Sequence, residues 1–135
     1  MDLPLVSTYR VPYADTDQMG VIYYANYLEL FERSRNEMLR GLGITYRELE
    51  AWGFALPVLE SYVKYHAPGR YDDLLELHAA CTEYRGVRLK VSCEVRRYGQ
   101  LLAEGYTIHA FVDKKLRPVR PTTEVLTRLG LLPNA

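Results

Sequence analysis

Two aspartates, Asp15 and Asp17, stand in a short polar run ending at Gly20, just ahead of a strongly patterned helical segment. A carboxylate near a helix start meets free backbone N–H groups and the positive end of the helix dipole. Hydrolysis of an activated acyl group needs those two things: a nucleophile or base, and donors for the developing oxyanion. Asp17 is the residue expected to supply the first, and the N–H groups around Tyr23 and Tyr24 the second. The same position also suits a plain helix cap, and the residues alone leave both roles open. Asp15, two residues earlier in an extended loop, should face the other way and brace the loop. Tyr24 is expected to act as a donor or pocket wall, since a phenol is a poor base at neutral pH. Tyr23 and Asn26 are candidate substrate contacts, Asn26 alternatively orienting the loop or capping the helix.

The elements that must position these groups follow from periodicity. Val6 to Val11 reads as a first strand ended by Pro12. From Ala25 to Leu42, Tyr27, Leu30, Phe31, Ser34 and Met38 recur at three- and four-residue steps, and Leu28, Leu39 and Leu42 widen the stripe. That predicts a helix of more than four turns, stopped by Gly41 and Gly43. Thr45-Tyr46-Arg47-Glu48 has the capping-box pattern of a short second helix. Strands are expected over Leu56–Ala67 and Leu74–Tyr84. Another should run through Val87, Leu89, Val91, Cys93 and Val95, facing in, and a last over Leu101–Asp113. Arg85-Gly86 and Tyr98-Gly99 read as hairpin turns, and Pro121 to Gly130 as a terminal helix. One long helix and an antiparallel meander make an α+β domain, expected to span residues 1–135 as a single unit.

Composition narrows the function classes. Seventeen basic and seventeen acidic side chains give a net charge of zero, against the basic excess that nucleic-acid binding usually needs. No apolar run approaches the ~20 residues of a membrane span, and Met1-Asp2-Leu3-Pro4 lacks a signal pattern, so a cytoplasmic protein is expected. Cys81 and Cys93 are too few for a disulfide scaffold and read as small core residues. His66, His78 and His109 sit in strand patterns, where a structural role is the default, with His66 the one nearest the proline at 68. No metal-ligand spacing, nucleophile elbow or phosphate loop is present, so no metal is expected.

The run from Tyr13 to Tyr27 resembles the signature of the 4-hydroxybenzoyl-CoA thioesterase-like family with its hot-dog fold: Asp15-Thr16-Asp17, Gly20, two aromatics, then Asn26-Tyr27. Lys64 to Asp73, with Pro68 and a following acidic pair, is similar to the family's second landmark, and the likeness extends from about Tyr9 to Pro121. Among relatives the chain is most similar to small bacterial thioesterases of the Tol–Pal-associated type. The resemblance implies a five-stranded antiparallel sheet wrapped around one long central helix. It implies hydrolysis of an acyl-CoA to the free acid and CoA, with Asp17 as nucleophile or general base. No cofactor is implied beyond the CoA of the substrate, and the active sites are expected at the interface of a homo-oligomer, dimer or tetramer. Tyr24 departs from the Tol–Pal-type pattern, which usually carries a histidine there; the aromatic-acyl branch carries a tyrosine. CoA phosphates want basic partners, and Arg88 and Lys90, on one strand face, are the candidates. A non-catalytic module binding acyl thioesters or aromatic ligands is the alternative.

Overall fold

Burial alternates along residues 88–97: Leu89, Val91, Cys93 and Val95 are buried, whereas Arg88, Lys90, Ser92 and Glu94 are not. That period of two fixes one sheet face as the core side. The computed structural model describes residues 2–131; Met1 and residues 132–135, the ends of the expected 1–135 unit, lie outside the described residues. Within them the strands are β1 (Leu5–Arg10), β2 (Val58–Tyr65), β3 (Leu74–Arg85), β4 (Arg88–Arg97) and β5 (Gln100–Ala110). They form one antiparallel sheet in the order β1-β3-β4-β5-β2. The helices are α1 (Asn26–Gly41), α2 (Tyr46–Ala51) and α3 (Thr123–Arg128). This is the α+β architecture that the periodicities imply.

Helix α1 lies on the core face and touches all five strands. Its stripe of Tyr27, Leu30, Phe31, Ser34, Met38 and Leu39 is buried, against Leu75, Leu77, Ala79 and the inward residues of β4. Each fully buried large apolar side chain contributes about 1.5–3 kcal/mol, so this stripe is what holds the helix on the sheet. Ser34 tolerates burial because its hydroxyl donates to Leu30 O at 2.7 Å. Leu28 and Leu42 do not widen the stripe; both are exposed, on the flank of the helix.

The helix stop also differs in detail from the expectation. Gly41 is the last helical residue, and Gly43, at φ +81°, is the one that turns the chain. Gly43 N–H donates to Arg40 O and Ile44 N–H to Leu39 O, the paired bonds of a Schellman motif. Thr45 caps α2 by accepting from Glu48 N–H at 3.0 Å, as its pattern predicts. The first hairpin is shifted by one residue. Arg85 pairs with Arg88, so Gly86-Val87 form the turn and Val87 is not an inward strand residue.

Strand β2 is an edge, and seven of its eight residues are exposed, Val58, Leu59, Tyr62 and Tyr65 among them. An apolar edge with open backbone groups is a surface that proteins cover. No helix among the described residues is long and apolar enough to cross a membrane.

Candidate active site

The loop between β1 and α1 folds back on itself before the helix begins. Thr16 and Ile22 bridge, Asp17 N–H donates to Val21 O at 2.9 Å, and Gly20 N–H donates to Asp17 O at 2.9 Å. Gly20 closes this turn at φ +77°, a conformation that L side chains resist. Asp17 is half-buried there. Its Oδ1 accepts from Met19 N–H at 2.9 Å, which fixes the carboxylate, and its Oδ2 has no partner among the described residues. A held carboxylate with one free oxygen is positioned for chemistry as well as for a turn.

Asp15 braces this loop. Its Oδ2 accepts from Tyr9 O–H at 2.6 Å, and its backbone carbonyl accepts from Tyr23 N–H at 2.8 Å and from Asn26 Nδ2 at 3.0 Å. Two consequences revise the sequence reading. Tyr23 N–H is already committed to Asp15, so it is not free to meet an oxyanion. Asn26, the first residue of α1, spends its amide nitrogen on the loop and does not cap the helix. The N–H groups of Tyr24 and Ala25 are the ones left without an acceptor among the described residues, at the positive end of α1.

Asp17 and Tyr24 line one cleft of about 310 Å³ with Met19, Ile22, Tyr65 and His66. Tyr24 is 61% exposed and stacks at a tilt on Tyr23, ring centroids 4.8 Å apart. Sequence reasoning missed Tyr65, whose hydroxyl donates to Tyr24 O at 3.2 Å and so ties β2 to the helix start. Burial raises the Tyr65 phenol, with a smaller push from Tyr24. His66 Nε2 lies 2.7 Å from Glu104 Oε2. The signal for both was their place just ahead of Pro68, at the strand end nearest the loop.

Arg88 and Lys90 are not in this cleft. Arg88 pairs with Glu60 at 3.1 Å, and Lys90 approaches Glu83 at 3.9 Å while its ammonium sits 4.4 Å over the Tyr106 ring. Both belong to the outer sheet face. Burial pushes the Cys81 and Cys93 thiols up to about 12, which keeps them protonated and unreactive. No group of three or more His, Cys, Asp or Glu among the described residues could hold a metal ion.

Tyr9 gives the brace a measurable energy. Burial first, then the bond to Asp15, raises its phenol to about 12 from 10.0. Tyr9→Phe is expected to cost about 1 kcal/mol, a typical net hydrogen bond, read as a lower denaturant midpoint. The folded value lies above the unfolded one, so this contribution is intact below pH 10.0 and is lost as pH rises through about 12. Wild type should therefore lose stability more steeply than Tyr9→Phe over that window.

Residues 11–129 match the thioesterase-like superfamily. The acyl-CoA thioester hydrolase YbgC of Escherichia coli is 39% identical over 111 residues, covering 81% of this chain and 83% of that protein. The acyl-CoA thioesterase YbgC of Haemophilus influenzae is 36% identical over 118 residues, 86% of this chain and 87% of that protein. Among solved structures, the hypothetical protein TT1821 of Thermus thermophilus superposes with a TM-score of 0.89 at 32% identity, covering 96% of this chain and all of that one (100%).

Proposed function

The chain belongs to the thioesterase-like superfamily, and we propose that it is an acyl-CoA thioester hydrolase whose chemistry centres on Asp17. The observation that carries this reading is the free Oδ2 of Asp17 in one cleft with Tyr24, at the helix end where the Tyr24 and Ala25 N–H groups stand open. The thioester carbonyl docks with its oxygen on those donors. Asp17 then either takes a proton from an attacking water, or attacks the carbonyl itself to give a mixed anhydride that water hydrolyses in a second step, freeing Asp17. In both routes the C–S bond breaks, CoA leaves as the thiolate, and water is consumed in releasing the acid. One oxyanion donor contributes ~10²–10³ in rate. Tyr24 forms the wall and offers its hydroxyl as a donor. Tyr23 and Asn26 keep the helix start in place. No metal or cofactor is needed, coenzyme A being part of the substrate.

Residues 1–135 act as one unit in this reading, of the Tol–Pal-associated type despite Tyr24. Within one copy Arg88 and Lys90 lie outside the cleft, so they reach CoA phosphates only from a second copy. The exposed apolar edge β2 supplies the surface for that pairing, giving a dimer or tetramer. Free Cys81 and Cys93, with an acyl-CoA substrate, fit the cytoplasm.

The test is release of free thiol from short, long and aromatic acyl-CoAs, with the solution mass measured on the same sample. Turnover of at least one member, by a dimer or tetramer, is expected. Saturable binding without thiol release across the panel would instead support a binding module, and a fully active monomer would overturn the shared-site arrangement.

A further inference from the structure

A second cavity lies at the other half of α1, away from Asp17. It has a volume of about 260 Å³, close to the lower end of the pockets that hold small molecules, about 300 Å³. Its walls are apolar: Met38, Leu39, Leu89 and Val91 are buried. Its less exposed polar groups are Arg35 of α1, Tyr46 of α2 and His109 of β5, with Glu32 and Asn36 of α1 exposed at its rim.

The hydrogen bonds assign a direction to each of these groups. His109 Nδ1–H donates to Leu56 O at 2.9 Å, and in the neutral ring Nε2 accepts from the Thr107 hydroxyl at 2.8 Å. Thr107 Oγ1 in turn accepts from Arg35 Nη1 at 3.4 Å. Burial, and to a smaller degree Arg35 itself, lowers the His109 pKa, consistent with a neutral ring. Arg35 is therefore the cation of this cluster. Its partner is a neutral hydroxyl at long range, and no carboxylate among the described residues lies within ion-pair distance of it. Glu32, the acid in the lining, is exposed and beyond ion-pair distance, so it acts on Arg35 only as a more distant charge. Tyr46 adds a second donor: its oxygen accepts from Leu56 N–H at 3.2 Å, which leaves its own proton free.

A half-buried guanidinium and a free phenolic proton in an apolar cavity, with the histidine and threonine acceptors already used, form a site for a group that only accepts. We infer that this cavity binds the carboxylate of a small organic acid, with the apolar remainder of the acid against Leu39, Leu89 and Val91. The Arg fork suits a planar carboxylate through two parallel N–H bonds. The bland alternative, a guanidinium satisfied by water alone, predicts no preference between an acid and its amide. Within one copy the two cavities share no lining residue, so Arg35 and Asp17 variants test the two readings separately.

Benzoate and hexanoate, each beside its neutral amide, are the probes, with binding measured by calorimetry and by thermal shift on the full chain. Wild type should bind the acids and be stabilised by them, and bind the amides at least about tenfold more weakly. Arg35→Met, which keeps the stem's packing, should lose about tenfold or more in acid affinity. Arg35→Lys should recover part of it, and Asp17→Asn should bind like wild type. If Arg35→Met does not fold, Tyr46→Phe carries the same comparison with an expected loss of several-fold. Equal binding of acid and amide overturns the inference. So does acid binding that survives Arg35→Met but is lost in Asp17→Asn, since the carboxylate would then occupy the Asp17 cleft while the thioesterase reading stood.

Discussion

Replacing Asp17 by Asn should lower turnover by at least about 10², the lower range for loss of a general base, with acyl-CoA binding and stability little changed. The geometry explains why the effect separates so cleanly. The turn uses Oδ1, which accepts from Met19 N–H, and an asparagine keeps that oxygen. The unpartnered Oδ2 is the atom that becomes an amide nitrogen, and an amide is neither a nucleophile nor a useful base at pH 7. Asp15→Asn reverses the pattern. It weakens the acceptor of the Tyr9 bond and should act mainly on stability. Thiol release and a denaturant midpoint on both variants settle the assignment: near-normal turnover in Asp17→Asn alongside a collapse in Asp15→Asn would exchange their roles, and full activity in both would favour the binding module.

What the sequence disclosed, and what it hid, divides along physical lines. Local patterns were legible: the period of two in β4, the buried stripe of α1 and the Thr45 cap each depend on residues within a few positions of one another. The turn at Gly86-Val87 was misplaced because Val87 continues the apolar alternation, and only the register of Arg85 on Arg88 reveals the shift. The commitment of Tyr23 N–H is hidden from the sequence because its acceptor is a backbone carbonyl eight residues away, a contact that leaves no mark on side-chain pattern. Arg35 does carry a signal in the sequence. It lies four residues from both Phe31 and Leu39, on the buried side of α1, and a charged residue at such a position asks for a partner. The cleft itself joins a loop near residue 17 to a strand end near residue 66, a proximity set by the sheet order and by no local spacing.

Gly105→Ala should be the most damaging small substitution in the sheet, costing about 3 kcal/mol or more, at or beyond the upper end of ordinary overpacking. Gly105 sits in β5 between Val63 of β2 and Cys93 of β4. A Cβ there would fall inside the van der Waals envelope of the Tyr62 backbone carbonyl and 3.0 Å from Phe31 Cε2. Neither neighbour can yield cheaply. Tyr62 O belongs to the β2 backbone, so moving it breaks the β2–β5 register, and Phe31, on the core side of α1, is wholly buried. Gly69→Ala is the matched control: its Cβ would approach Ile22 Cδ1 at 2.5 Å, the far end of a flexible side chain that can rotate away. Its cost should stay near 1 kcal/mol. The difference reaches the site, because β2 delivers Tyr65 to Tyr24 O and leads directly into His66. Gly105→Ala should therefore lose thiol release and β2-edge association together as its denaturant midpoint falls, whereas Gly69→Ala keeps its oligomeric mass. If Gly105→Ala unfolded at the wild-type midpoint, β2 would be free to shift outward, and the rigid delivery of Tyr65 to the helix start would be wrong.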